Sequence, residues 1–460
     1  MPKKPISHRS LALILLAADL VGLALSFYVS YLIRFWKLPA GLTAPLIWPI
    51  VLTLFSLYVV DVYRRDTQVA GMRAPVRTLL GVTLAGLLSS SAAYLGGYWG
   101  TEQFFGRGVF PVALLLFAAW ATLWRFFLFR WARQRTGDIR WLVLGTGEAA
   151  AQLWNDSRKT SSEAELLFLS TEGASSRAGA PVPPMPVSGT VEELAKWDAS
   201  RCSGIIVAVP PPLPDDLIQR LMQLRLNGLP VYDLADFYER FWFKVPVLHL
   251  HNGWFVFSHG FDLLHSPFGL RAKRALDVMI STGLLLVSAP IMLLVAVLIK
   301  LDSRGPVIHR QERVGEGGKL FTIYKFRSMH TDAKYTGPAW TRENDSRVTR
   351  IGRISRRIRI DELPQIVNVL KGDMSFVGPR PERPEFSGML ERAIPYYELR
   401  QLVRPGITGW AQVMYPYAAS MEEAREKLQY DLYYIKNYSL MLDIAILFKT
   451  LRVVMLGKGR

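Results

Sequence analysis

The sequence predicts a membrane α plus α/β protein. It is read as an N-terminal four-helix transmembrane bundle, a Rossmann-like α/β domain, and a C-terminal α/β domain seated on a re-entrant helix in one leaflet. Three observations carry that reading. Half of the 460 residues are apolar, and four long apolar runs lie within the first 135. The 55 Lys and Arg against 38 Asp and Glu give a net charge of +17, so the chain should face something anionic. A glycine-marked strand–turn–helix pattern then follows the last run. The 13 Trp, 18 Tyr and 23 Phe exclude intrinsic disorder. The single cysteine, Cys202, excludes an internal disulfide and any cysteine-built zinc site.

The apolar runs are Leu11–Ile33, Leu42–Val60, Thr78–Gly97 and Val109–Phe129, each close to the ~20 residues a crossing requires. Lys and Arg mark orientation. Lys3, Lys4 and Arg9 precede the first run, Arg64, Arg65, Arg73 and Arg77 separate the second from the third, and Arg125, Arg130, Arg133 and Arg135 surround the end of the fourth. Both ends of this bundle, residues 1–135, are therefore expected on the cytoplasmic side. Asp19, inside the first run, marks either a polar pathway or, as preferred, a bundle-facing residue beside a partner.

Residues 136–238 read as the Rossmann-like domain. Strands are expected at Trp141–Leu144, Leu166–Leu169, Gly204–Val209 and Pro230–Leu234. The first leads into Gly145-Thr146-Gly147-Glu148-Ala149-Ala150, a G-x-G-x-x-A turn opening a helix. The acid expected after the second strand is poorly served by Glu172, so the glycines are read as a tight turn rather than as a dinucleotide site. Residues 239–268 are expected to form a β-hairpin and linker. Phe243–Leu250 and Trp254–Ser258 alternate around Asn252-Gly253, a strong turn signal. Its free edges suggest self-association as a dimer.

A fifth apolar run, Val278–Ile299, opens the last segment, residues 269–460. Arg271, Lys273 and Arg274 precede it, and Lys300, Arg304, Arg310 and Arg313 follow it. A crossing would put a basic domain outside, against the distribution of positive charge elsewhere. Pro290 near its middle removes a backbone donor. The reading is a helix–break–helix over about 276–301 that dips into one leaflet and returns; a kinked fifth span is the alternative.

Beyond it, Arg271–Arg383 carries 21 Lys and Arg against 11 Asp and Glu. Ser346–Ile360 alone holds Arg347, Arg350, Arg353, Arg356, Arg357 and Arg359 with no acid, and Asp361-Glu362-Leu363-Pro364 follows directly. In a positive field an aspartate stays ionised and can act as nucleophile or metal ligand, with its neighbour as general base. Arginines suit polyanionic phosphates through bidentate forks. Both carboxylates converge only if Pro364 distorts the backbone. A short glycine-rich loop (Gly315–Gly318), a strand over Phe321–Phe326 with Lys325 and Arg327, and two stiff loops presenting Arg380 and Arg404 supply rigid cations nearby.

Five motifs resemble one family. Lys273-Arg274-Ala275-Leu276-Asp277, Phe321-Thr322-Ile323-Tyr324-Lys325-Phe326-Arg327-Ser328-Met329, Asp361-Glu362-Leu363-Pro364-Gln365, Gly372–Pro381 and Arg404–Trp410 are similar, in order over about 190 residues, to the bacterial sugar transferases. These are also called monotopic phosphoglycosyl transferases, and include the undecaprenyl-phosphate hexose-1-phosphate transferases that start exopolysaccharide and O-antigen synthesis. The N-terminal part resembles the large subgroup.

The resemblance implies transfer of a sugar 1-phosphate from a UDP-sugar, with UDP-glucose and UDP-galactose as first candidates, to undecaprenyl phosphate. UMP would be released and a phosphosugar carried on Asp361. Glu362 would activate the acceptor, and Mg²⁺ would sit by Asp361. Arg356 and Arg380 would lie near the phosphates, with Lys325, Arg327 and Arg404 as further contacts. The family's helix break at a Ser-Pro pair has its counterpart in Ser288-Ala289-Pro290, one residue displaced. The implied site is the inner (cytoplasmic) membrane with the catalytic domain on the cytoplasmic side, and nucleic acid is not an expected partner. Tyr396, Tyr397, Trp410, Tyr415 and Tyr417 are candidates for the membrane interface. Two competing readings remain: a non-catalytic membrane scaffold, and an NAD-dependent oxidoreductase resting on Gly145–Ala150 alone.

Overall fold

The computed structural model describes residues 8–37, 47–60, 62–63, 73–97, 108–135, 140–159, 165–171, 185–192, 202–250, 254–330, 347–415 and 420–455. Two compact units emerge, one formed by residues 1–141 with 161–166 and 195–203, the other by 142–160, 167–194 and 204–460.

The first unit is built from four apolar helices: α1 (His8–Phe35), α2 (Ile47–Val59), α3 (Arg73–Leu95) and α4 (Val109–Arg135). Leu23, Phe27, Phe110, Ala113 and Phe117 pack in their centre. Leu79, Leu87, Leu115 and Phe127 point outward, the arrangement of a bundle solvated by lipid rather than water. Stretches of α1, α3 and α4 are long and apolar enough to cross a membrane. α2 has 13 residues, and residues 42–46 of the expected second run lie outside the described residues.

Asp19 faces inward and is fully buried. Arg125 donates to both of its oxygens, at 2.8 and 2.5 Å, and Tyr63 Oη donates at 2.7 Å. The preferred sequence reading of Asp19 agrees with this. The reading of Arg125 changes: it is a partnered charge inside the bundle, not one of the flanking cations that set orientation. An unpaired charge here would be far costlier than the pair.

The second unit begins with a sheet of order β3-β2-β1-β4-β5. Its strands are β1 (Arg140–Leu144), β2 (Glu165–Ser170), β3 (Val187–Thr190), β4 (Gly204–Val207) and β5 (Val231–Asp233). The β2–β3 and β4–β5 pairings are parallel. Helix α5 (Glu148–Lys159) follows β1, and α6 (Asp215–Leu226) follows β4. At the intervening turn Gly145 has φ +110 and lies against the Ala208 carbonyl, a place where a side chain is disfavoured. β3 is unforeseen because Val-Ser-Gly-Thr carries no apolar alternation, and Glu172 lies outside the described residues.

The expected hairpin is not formed by the described residues. Phe243 is left-handed, Val247–His249 is a 3₁₀ turn and Trp254–Phe257 a helical turn, while 251–253 lie outside the described residues. Pro246 interrupts the first supposed strand. Trp254 is drawn into the core beneath Lys436, whose ammonium lies 4.1 Å from the ring centroid. Burial of Trp254 takes the segment after the turn into the core, and the described residues form no strand edge there for self-association.

A hairpin does occur downstream. β6 (Ile308–Val314) pairs antiparallel with β7 (Leu320–Phe326) across the glycine-rich loop. Before this hairpin in the chain comes α7 (Pro267–Asp302), 36 residues long and helical throughout, with Pro290 inside it. The expected break is therefore absent as an interruption of the helix. Ser288 is buried and its hydroxyl contacts Met292 Sδ at 3.6 Å. Leu286, Val287, Leu293, Leu294 and Leu301 of α7 are exposed.

The chain closes with α8 (Arg350–Arg357), a 3₁₀ turn (Ile360–Gln365), α9 (Ile366–Lys371), β8 (Ser375–Val377), α10 (Pro384–Ala393), β9 (Gly406–Thr408), α11 (Trp410–Met414), α12 (Met421–Lys436) and α13 (Leu440–Met455). β8 and β9 are parallel. Tyr397 and Trp410 are buried with Leu432, Tyr434 and Ile435 in the core. They are therefore not the interfacial aromatics expected, and Tyr417 lies outside the described residues.

Candidate active site

Asp361 and Glu362 sit on the 3₁₀ turn rather than on a helix end. α8 stops at Arg357 because Arg359 is left-handed (φ 60), and Pro364 closes the turn. This is the distortion that two adjacent carboxylates need to face one place. Asn368 then locks the segment to β7. Its Oδ1 accepts from Tyr324 N at 3.1 Å and its Nδ2 donates to Thr322 O at 2.7 Å. Lys325 on β7 is thereby set beside the carboxylates.

The arginine run divides by face. Arg350, Arg353 and Arg357 are exposed, while Arg356 lies within electrostatic reach of Asp361. Glu362 gathers three cations: Arg380 Nη2 at 2.6 Å, Lys325 Nζ at 3.5 Å and Arg359 Nη1 at 3.5 Å. Asp361 is equally buried, yet its Oδ1 accepts no hydrogen bond from the described residues.

The two carboxyls therefore behave oppositely. Burial and the neighbouring Glu362 charge push Asp361 up to about 6, against the pull of Lys325, Arg356 and Arg380. Burial also opposes ionisation of Glu362, but Arg380, Lys325 and Arg359 outweigh it and hold this carboxyl well below the usual range. Burial lowers Lys325 to about 8, with Glu362 resisting. A carboxylate so stabilised is a weak proton acceptor, which does not favour the general-base role expected for Glu362. Desolvation thus works against the positive field at Asp361, and at about 6 its carboxyl still ionises below neutral pH.

Arg380 is carried by the Gly378–Pro381 loop, which interlocks with Arg404–Gly409. Gly378 N donates to Thr408 O, and Gly406 N donates to Pro379 O. A Cβ on Gly378 would fall 2.4 Å from Arg404 O, so only glycine allows the approach.

Two of the expected cations do other work. Arg327 is buried and donates to Ile299 O, Ser303 O and Ser303 Oγ at 3.3, 2.7 and 2.9 Å. It adds a donor to Ile299 O and satisfies Ser303 at the C-terminal end of α7, which places it at that helix end rather than among the cations around Asp361 and Glu362. Arg404 pairs with Glu316 of the glycine-rich loop at 3.2 Å and is half-exposed.

The Lys273–Asp277 motif is scaffold. Lys273 bridges Asp277 and Asp443 at 3.1 and 2.9 Å, Asp277 accepts from Phe376 N, and Arg274 caps α9 through the carbonyls of Val369 and Leu370. Sequence reasoning missed Arg359 and Asn368 as parts of the site. Arg359 had a signal, its place three residues before Glu362 on a tight turn; Asn368 had none.

The family model described as bacterial sugar transferase matches residues 268–457, the segment holding all of these groups. The chain is 46% identical over 239 residues to the UDP-N-acetylgalactosamine-undecaprenyl-phosphate N-acetylgalactosaminephosphotransferase of Aeromonas hydrophila, covering 52% of this chain and 55% of that protein. It is 40% identical over 280 residues to the undecaprenyl-phosphate glucose phosphotransferase of Komagataeibacter xylinus, covering 57% of this chain and 51% of that one. Against these two the chain thus spans about half the relative's length. The exopolysaccharide production protein PSS of Rhizobium leguminosarum bv. phaseoli is 48% identical over 184 residues, which is 39% of this chain and 92% of that protein. With its carboxylate pair and cation cluster inside the matched segment, the chain belongs to the bacterial sugar transferase family.

Proposed function

We propose that the protein transfers a sugar 1-phosphate from a UDP-sugar to undecaprenyl phosphate at a bacterial inner membrane. The observation that carries this is the buried, unbonded Oδ1 of Asp361 beside the Arg380–Glu362–Lys325 cluster. Such an arrangement leaves a carboxylate oxygen available for attack amid cations that neutralise a diphosphate. Asp361 attacks the β-phosphorus of the nucleotide sugar. The bond from that phosphorus to the bridging oxygen breaks, and UMP leaves with the electron pair. An oxygen of undecaprenyl phosphate then attacks the same phosphorus, restoring the Asp361 carboxylate and yielding the lipid diphosphosugar.

Glu362 serves by holding Arg380, Lys325 and Arg359 in place; Arg380, Lys325 and Arg356 face the charge of the substrate. Asp361 would hold Mg²⁺ through one carboxylate oxygen and attack through the other. Among the described residues no three His, Cys, Asp or Glu side chains gather as a metal cage, so the ion would share Asp361 with substrate oxygens and water, as Mg²⁺ usually does. Bound there it would neutralise diphosphate charge.

The membrane arrangement is part of the proposal. One end of α7 is tied through Lys273, Arg274 and Asp277, and the other through Ile299 and Ser303 to Arg327 and through Asp302 to Ile351 N at 3.1 Å. Both ends belong to the same folded unit. This supports a helix that enters one leaflet and keeps both ends on the cytoplasmic side. The sheet order likewise supports the Rossmann-like reading of the strands over residues 140–233.

The sugar is open between classes, because the relatives' names differ between N-acetylgalactosamine and glucose. The test is UMP release by the full chain across UDP-glucose, UDP-galactose and their N-acetyl counterparts, with undecaprenyl phosphate as acceptor. Release that requires Asp361 is expected. No release with any donor sinks the proposal in favour of the scaffold reading.

A further inference from the structure

The loop that presents Arg380 is unusual in how it is held. Pro379 and Pro381 have no N–H, so this stretch is pinned largely through its carbonyls. Four consecutive ones are each taken by a different donor. Pro379 O accepts from Gly406 N at 2.9 Å, Arg380 O from Arg400 Nη2 at 3.0 Å, Pro381 O from Arg313 Nη1 at 3.0 Å, and Glu382 O from Val314 N at 3.0 Å. Among the described residues, the donor to the Arg380 carbonyl itself is Arg400.

Arg400 is in turn fixed on its remaining sides. Its Nε donates to Asp431 Oδ2 at 2.8 Å, its Nη1 donates to Tyr397 Oη at 2.5 Å, and its guanidinium lies 4.9 Å from the Tyr397 ring centroid. Asp431 and Tyr397 are buried. The planar fork thus reaches a carboxylate, a hydroxyl and a loop carbonyl at once, which the point charge of a lysine does not reproduce. Holding a buried charge pair behind a loop is costly, and a plain packing role does not call for aiming the third arm at the carbonyl of Arg380.

We propose that Arg400, oriented by Asp431 and Tyr397, is a positioning residue that sets the direction of the Arg380 guanidinium toward the reacting diphosphate. The chain of contacts runs Asp431–Arg400–Arg380 backbone–Arg380 side chain–Glu362, ending at the carboxylate beside the nucleophile. A displacement of this loop by about 1 Å is enough to cost roughly 10²-fold in rate. The inference deepens the proposed transferase reading and shares its site.

The test is a double-mutant cycle in the full-length membrane protein, using Arg400→Lys and Arg380→Ala, singly and together. Asp431→Asn is the second route to the same perturbation should Arg400→Lys fail to fold. Two readouts are taken: UMP release, and affinity for inorganic pyrophosphate by calorimetry, which requires no turnover. Arg400→Lys is expected to lower kcat/KM by about 10- to 100-fold, mainly through kcat, and pyrophosphate affinity by about 5-fold. In the Arg380→Ala background the same change should have less than about a 2-fold effect on either. Equal losses in both backgrounds, or no loss from Arg400→Lys and Asp431→Asn, overturn the positioning role. Should wild-type protein release no UMP while the pyrophosphate cycle is coupled, the transferase reading falls and the positioning role stands. Wild-type protein that neither releases UMP nor binds pyrophosphate overturns both.

Discussion

Arg380 Nη2 donates to Glu362 Oε1 at 2.6 Å, joining the proline-framed loop to the turn that carries the nucleophile candidate. The bond pairs the negative charge of Glu362 directly, while Asp361 feels the same cations only at longer range and keeps Oδ1 without a hydrogen bond from the described residues. Two neighbouring carboxylates of the same burial are thereby divided into a structural one and a reactive one. The environment, not the residue type, assigns the roles.

Replacing the reactive carboxylate should separate chemistry from folding. Asp361→Asn is expected to cut UMP release by at least about 10³-fold, and to abolish covalent labelling by a UDP-sugar radiolabelled in the sugar. Turnover within ten-fold of wild type would end the nucleophile assignment.

The same pair should show opposite effects on stability. Burial raises Asp361 from 3.8 to about 6, so between those values the folded state binds more protons than the unfolded one. Stability is then lost as pH rises through that window, and at neutral pH the ionised group is a net cost. Asp361→Asn should raise Tm, with a gain of up to about 3 kcal/mol at pH 7. Glu362→Gln leaves Arg380, Lys325 and Arg359 facing each other and should lower Tm, costing about 1–3 kcal/mol. Thermal unfolding in detergent reads both. Shifts of the same sign would refute the division of roles.

The pH dependence of kcat/KM reports the free enzyme. Below about 6 Asp361 is protonated and cannot attack; above about 8 Lys325 loses its charge and no longer neutralises phosphate. A bell with limbs near those values is expected. Lys325→Arg keeps the cation at all accessible pH and should remove the alkaline limb while leaving the acid one. An alkaline limb unchanged in that variant would clear Lys325 of the role.

What was legible in the sequence follows from range. The motif segments were readable because each places its chemistry within a few residues: Asp361-Glu362 with Pro364, or Arg380 between two prolines. Long apolar runs were equally plain, since their signal is their own length. Arg327 was misread because its neighbour Lys325 shares the strand and the motif. Which of the two meets phosphate depends on the end of α7, some 25 residues upstream, where the Ile299 and Ser303 carbonyls claim the guanidinium. The Asn252-Gly253 hairpin failed for a related reason: a turn signal says nothing of Trp254 having a place in a distant core. Asn368 and Arg400, which bond across 44 and 20 residues, have no local signature at all.

Arg327 offers a direct check on that correction. Its three bonds close the C-terminal end of α7 from within the fold, so Arg327→Ala should destabilise by about 2–4 kcal/mol. The folded fraction should keep the KM for the UDP-sugar within about two-fold. A raised KM at unchanged Tm would return Arg327 to the phosphate site.

The last prediction concerns α7. At 36 residues it is about 54 Å long, ample to cross a bilayer core of ~30 Å. Its length therefore argues for a span, while its attachments argue otherwise, since both ends are bonded to one folded unit. The attachments should win, because placing the ends on opposite faces would pull Lys273 and Asp277 away from Asp443 and leave that buried carboxylate unpaired, several kcal/mol in cost. In a Cys202→Ser background, Arg271→Cys and Arg304→Cys are expected to react with a membrane-impermeant thiol reagent from the cytoplasmic side alone. Pro290→Ala should leave that pattern intact, since the anchors and not the proline hold the ends. Labelling of the two positions from opposite sides would establish a true fifth span and remove the re-entrant reading.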